Sequence, residues 1–159
     1  MLLCSCVSTY QVVSDNGASD IISKSDNVLV LTPEDAMFGS IFYAGSGKSL
    51  AMRIATIFRE YGVHAKVSEA MDMSELAVQD VESADFIVIP EIYHWEDRAT
   101  VWSAIADKSK IAFTVYDKKK DCVASTIIKA RGPNLTFCSQ NPLSILEKPL
   151  SGYINKIVR

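Results

Sequence analysis

Two short, unbroken apolar runs decide most of what this chain can fold into. Val28-Leu29-Val30-Leu31 and Phe86-Ile87-Val88-Ile89 have no polar side. Runs of that length and character read as strands buried on both faces of a sheet. Between them Leu50, Ile54, Ile57, Phe58 and Tyr61 recur at helical spacing and form one apolar face from about residue 49 to 61, with Gly62 as a stop. Residues 63–67 read as a further strand. Ser74 then caps a short helix carrying Ala77, Val81 and Ala84 on one side, with Glu75 and Asp80 exposed. The order β-α-β-α-β demands parallel pairing through right-handed crossovers.

The second half changes character. Ile111, Phe113 and Val115 alternate with smaller or polar residues, and residues 123–130 return as a partner strand after a turn at 117–121. Lys118, Lys119 and Lys120 sit in that turn as a solvated tip. Asn141 and Pro142 give a cap and first-turn pair, and Leu143, Leu146, Leu150, Tyr153, Ile154 and Ile157 keep one helix face. Pro149 is expected to kink or restart that helix. The expectation is a single three-layer α/β domain over residues 27–159. Its mixed sheet is built from βαβαβ plus an antiparallel hairpin, closed by a C-terminal helix. With 159 residues, 48% of them hydrophobic, one core can be filled. A net charge of −3 leaves no electrostatic footprint for nucleic acid or for an anionic membrane, so no nucleic-acid partner is expected and any membrane attachment is expected to come from lipid.

The amino terminus carries a different message. Leu3-Cys4-Ser5-Cys6 fills the slots of a bacterial lipoprotein processing site: an apolar residue, two small ones, then the cysteine that takes the lipid. On this reading residues 1–6 are the remnant of a signal with its lipobox, the apolar stretch of the signal lying ahead of Met1. Residues 7–26, rich in Ser, Asp and Asn, are a flexible tether. The chain is then held on a membrane through lipid on Cys6, facing the periplasm. Val7 in place of an aspartate favours the outer membrane. Two other readings stay open: a chance Met-Leu-Leu-Cys start of a cytosolic protein, and a Cys4/Cys6 metal clamp, which lacks a second ligand pair nearby. With Cys4 removed and Cys6 acylated, Cys122 and Cys138 remain either as a disulfide or as two separate thiols.

Gly45-Ser46-Gly47-Lys48-Ser49 ends like a phosphate-binding loop and opens a helix, where backbone N–H groups could hold an anion. The full motif requires glycine at position 42, which is Phe42. A capped helix with an exposed lysine is the plainer reading. A nucleotide-binding enzyme using Lys48 and Ser49 is the alternative function. The two histidines, His64 and His94, lie on different segments, and no Gly-x-Ser-x-Gly elbow is present. No catalytic residue, cofactor site or metal-ligand set is therefore assigned.

The densest polar and aromatic cluster is residues 90–103, with Trp95, Glu96, Asp97, Arg98 and Trp102 at its centre. It reads in two ways. One is a recognition loop at the carboxyl end of a central strand, where aromatic residues and arginine serve binding. The other is a brace in which Arg98 pairs with Glu96 or Asp97 and the indoles pack on the sheet end.

This run, with Asp107 and Val115-Tyr116-Asp117 after it, resembles the bacterial lipoprotein family described as domain of unknown function 4823. The likeness reaches back to Tyr43-Ala44-Gly45-Ser46-Gly47 and forward to Thr136-Phe137 and the helix after Pro142, covering most of residues 27–158. Trp95-Glu96-Asp97-Arg98 is its most specific part. The resemblance implies a lipid-anchored envelope protein without an established activity, in which residues 45–47 are a family loop rather than a nucleotide site. Binding or scaffolding of an envelope protein partner is the expected role.

Overall fold

A computed structural model describes residues 8–97, 105–133 and 141–159. In chain order these form β1 (Thr9–Asp15), β2 (Asn27–Leu31), β3 (Ala36–Phe38), β4 (Ile41–Tyr43), α1 (Ser46–Glu60), β5 (His64–Ser68), a 3-10 turn (Met73–Glu75), α2 (Val78–Ser83), β6 (Phe86–Glu96), β7 (Lys108–Asp117), β8 (Cys122–Arg131) and α3 (Pro142–Ile157). Six strands make one mixed sheet in the order β1-β8-β7-β6-β2-β5, and β3 and β4 form a separate hairpin. The parallel half, β6-β2-β5, holds the two apolar runs at adjacent central positions. The antiparallel half follows from β6 through β7 and β8 to β1.

The chain leaves β2 for β5 on one side and returns to β6 on the other. Right-handed crossovers in opposite directions put their connections on opposite faces. On one face lie α1 and α3, packed on Val28, Val30, Val88, Phe113 and Ile128, all at most 2% exposed. Phe113 is the hub: its ring stacks on Phe58 of α1 at 6.3 Å and meets Tyr153 of α3 edge-on at 5.4 Å. Burial pushes the Tyr153 phenol well above its ordinary value. On the other face Ala70, Met73, Leu76 and Ala84 cover Leu29, Leu31 and Ile87. No helix among the described residues covers that face of β7, β8 and β1.

Several expectations change in detail. The segment read as a tether is folded from residue 8 on: Thr9–Asp15 pairs with β8 as an edge strand, bulged between Val12 and Ser14. All seven of its residues are exposed, so it lacks the apolar signature of a strand and is held by its backbone ladder. Ile22, also within that segment, is fully buried and bridges Val158 at the end of the chain. The stretch between β2 and the helix, expected as a loop, contains the β3–β4 hairpin. The helix begins at Ser46, not 49. The short helix is capped by Ala77, and Asp72 rather than Ser74 caps the preceding turn; Ala84 is buried while Ala77 is exposed. Asn141 caps α3 as expected, accepting from the Ser144 N–H at 2.8 Å. Pro149 does not restart that helix, which runs unbroken through it.

Asp85 fastens the two halves of the sheet at its lower end. Its carboxylate accepts the Asn27 N–H at 2.8 Å and meets Lys118 Nζ of the β7–β8 turn at 2.9 Å. The Lys118 hydrogen bond, then that of Asn27, holds this carboxyl below its usual range. A depressed folded value contributes stability above the unfolded pKa, about 3.9, and loses it as pH falls through the folded value. Asp85→Asn should therefore lower the urea-unfolding free energy by about 1 kcal/mol at neutral pH. The gap to wild type should close on acidification below the unfolded value. A gap that persists in acid would show that the carboxylate charge is not its source.

Candidate functional site

β2 and β6 run side by side only from Val28 to Val30 against Phe86 to Val88. Beyond Val88 the pairing ends, and β6 continues with β7 alone as far as Glu96. The split opens a crevice of about 650 Å³ lined by Glu34 and Met37 after β2, Met71 and Asp72 after β5, and Glu91 and Tyr93 of β6. Its place, outside the carboxyl ends of parallel strands where the chain changes direction, is where open α/β sheets hold ligands. Its volume falls within the range of small-molecule sites.

The carboxylates here have partners. Asp72 accepts the Ser74 hydroxyl and the Ser74 N–H, at 2.5 and 2.7 Å, and the hydroxyl bond leads in lowering its pKa. Glu91 accepts the Tyr93 hydroxyl at 2.7 Å, which raises the phenol above its ordinary value. The lining thus offers oxygen acceptors, thioethers and tyrosine rings, and no cationic side chain among the described residues. Such a surface suits a donor-rich or cationic ligand. No three His, Cys, Asp or Glu side chains among the described residues gather to hold a metal ion.

The 45–49 loop is already met by an anion of the chain itself, Asp35. Asp35 accepts the Gly45 N–H through Oδ2 and the Gly47 N–H through Oδ1, both at 2.8 Å. Ser46 Oγ accepts the Ala36 N–H at 2.8 Å. Lys48, the lysine a phosphate would need, is paired with Glu69 at 2.7 Å. Gly47 is required for packing: a Cβ there would lie 2.0 Å from the Pro33 carbonyl oxygen. The positive end of α1 is neutralised from within, so the geometry does not favour the nucleotide-binding alternative.

Of the expected aromatic-acidic cluster, the structure places three members. Trp95 and Glu96 belong to β6 rather than to a loop after it, and Trp95, 5% exposed, is part of the main core. Glu96, 3% exposed, is met by Lys108 Nζ and His94 Nε2, each at 3.2 Å. Lys108 and His94 thus brace Glu96, while the expected pairing of Arg98 with Glu96 or Asp97 lies outside the described residues. Asp97 is exposed; its N–H donates to the Tyr43 hydroxyl at 3.3 Å. Burial, then the charge of Asp107, raises its carboxyl pKa. Arg98 and Trp102 lie outside the described residues, as do Cys4, Cys6 and Cys138. His64 sits exposed on the edge strand β5, and Cys122 donates to the Ala124 carbonyl at 3.8 Å.

Sequence reasoning missed the crevice because its walls come from two separate connections and from strands β6 and β7. The signal available was Glu91 and Tyr93, polar residues two apart just past an apolar run.

Residues 21–157 match the family described as "Domain of unknown function (DUF4823)". No curated protein matches the sequence. Among solved structures the fold is similar to the PelC dodecamer from Paraburkholderia phytofirmans, with a TM-score of 0.69 and 15% identity over 96% of this chain and 100% of that one. It is also similar to a DUF330 protein from Xanthomonas campestris, with a TM-score of 0.51 and 15% identity over 88% of this chain and 84% of that one. At these identities the likeness is one of fold.

Proposed function

The chain belongs to the family of domain of unknown function 4823, and from that premise we propose that it is a lipid-anchored module of the bacterial cell envelope. It is attached through Cys6, faces the periplasm, and binds or scaffolds an envelope partner. The observation that carries this reading is the lipid-attachment pattern ending at Cys6, three residues ahead of the first strand. Val7 after the acylated cysteine favours the outer membrane. The crevice between β2 and β6 is the ligand site of this reading, and its acceptor-rich lining favours a cationic or donor-rich group on the partner. The scaffold side of the proposal draws on PelC, whose structure is described as a dodecamer. Self-assembly through the exposed strands is carried over to this chain as part of the proposal.

Expression with its natural upstream sequence, followed by labelling with a fatty-acid analogue, tests the anchor. Wild type should be labelled and Cys6→Ala should not. Equal labelling of the two would refute acylation at Cys6.

A further inference from the structure

Four cations gather on the face of the sheet that no helix among the described residues covers, at the end where the chain enters it. Register sets Lys108 opposite Arg131 and Arg131 opposite Thr9; two residues along, Lys110 faces Lys129 and Lys129 faces Gln11. Directly opposed residues of antiparallel strands project from the same face. The four therefore share one surface, around a shallow depression of about 410 Å³. The only carboxylate in these two rows is that of Glu96, which is buried against Lys108. Lys110 lies over the Tyr93 ring, 5.2 Å from its centre. This concentration runs against a net charge of −3 for the whole chain.

The patch lies beside the point of attachment. Cys6 is three residues ahead of Thr9, a span of at most about 10 Å of extended chain. Arg131 lies directly across from Thr9. Phe38 meets His94 edge-on at 5.3 Å, which brings the β3–β4 hairpin, with Met37, Ile41 and Phe42 exposed, to the same end of the sheet. Cations with an exposed apolar hairpin at the same end, and with Cys6 about one Debye length away along the chain, match the headgroup layer of an anionic bilayer.

We propose that this face docks on the phosphates of anionic lipids and so sets how the domain sits on its anchor. The proposal rests on acylation of Cys6 for its geometry and deepens it. The lipid supplies the hold; Lys108, Lys110, Lys129 and Arg131 supply the orientation. The domain then lies with this face of β7 and β8 against the bilayer and the layer of α1 and α3 turned away from it.

The test uses the full chain carrying Cys6→Ser, so that no acyl chain contributes, and vesicles of phosphatidylcholine with or without an equimolar share of phosphatidylglycerol. Co-sedimentation should show partition onto the mixed vesicles and little onto phosphatidylcholine alone, falling as salt is raised. Lys129→Gln with Arg131→Gln should reduce that partition roughly 25-fold, about fivefold per cation removed. Lys66→Gln with Lys118→Gln, which lie away from the patch, should leave it unchanged. Equal partition onto both vesicles, or equal losses from both double variants, would overturn the proposal. So would retention of an acidic protein from envelope extracts by the patch with no vesicle binding. Failure of fatty-acid labelling at Cys6 would remove the anchor while leaving this measurement on the unacylated chain to stand or fall separately.

Discussion

Trp95→Ala should destabilise the protein by about 3–5 kcal/mol, the cost of removing a large aromatic side chain from a packed core. Trp95 is 5% exposed and belongs to the same cluster as Phe113, Leu150 and Ile154. The effect should appear in chemical denaturation as a lower midpoint with an unchanged slope. Tyr93→Ala, two residues earlier but half exposed, should cost much less. If Trp95→Ala kept full stability and abolished binding of a partner instead, the indole would be a recognition residue and its placement in the core would be wrong.

The reason Trp95 could be read either as a recognition residue or as packing on the sheet end is specific. Along β6, Val88, Pro90 and Ile92 face the helices, opposite Val115, Phe113 and Ile111. Strict alternation from Ile92 would send His94 and Glu96 inward and Trp95 outward. A bulge between Ile92 and His94 shifts the register by one residue, so Trp95 joins the inward set opposite Ser109. Nothing local in Tyr93-His94-Trp95 announces that extra residue. The apolar runs at 28–31 and 86–89 needed no such knowledge, because a strand buried on both faces reads the same in either phase. For that reason the parallel core, both crossovers and the β7–β8 hairpin were legible from sequence. β1 was not, because an edge strand with every side chain exposed is specified by hydrogen bonds rather than by pattern. The crevice and the cationic face share that difficulty: each is assembled by register between segments far apart in the chain.

Gly47→Ala is the second substitution expected to have a large effect, with a loss of about 3 kcal/mol or more. Alanine in a helix normally gains roughly 1 kcal/mol over glycine. Here the new methyl would stand 2.0 Å from the Pro33 carbonyl oxygen and 3.0 Å from its carbon. Both are backbone atoms, so relief requires moving the connection after β2, and overpacking of this kind exceeds the helix gain. The same movement would pull Asp35 away from the Gly45 and Gly47 N–H groups. Gly45→Ala provides the contrast. Its φ of +79° disfavours any side chain, but nothing lies within 4 Å of the added carbon, so its cost should stay near 1–2 kcal/mol. Thermal melts of the two variants should separate them clearly. Equal losses would mean that conformational freedom, not close approach, is what position 47 requires.

The edge strand has a mechanical meaning. Any load applied through the amino terminus enters the fold at Thr9 and runs along β1, whose six register pairs with β8 lie across that direction. If the resisting force acts at the far end of the sheet, near the β7–β8 turn, the rungs of the ladder are loaded together in shear rather than peeled one at a time. At the end of β1 the chain is fastened again, by Lys156 to Asp15 at 2.6 Å, and beyond it by the Ile22–Val158 bridge. Traction on the leading end is thereby passed to the closing helix, and the first strand behaves as a taut strap rather than a slack leash.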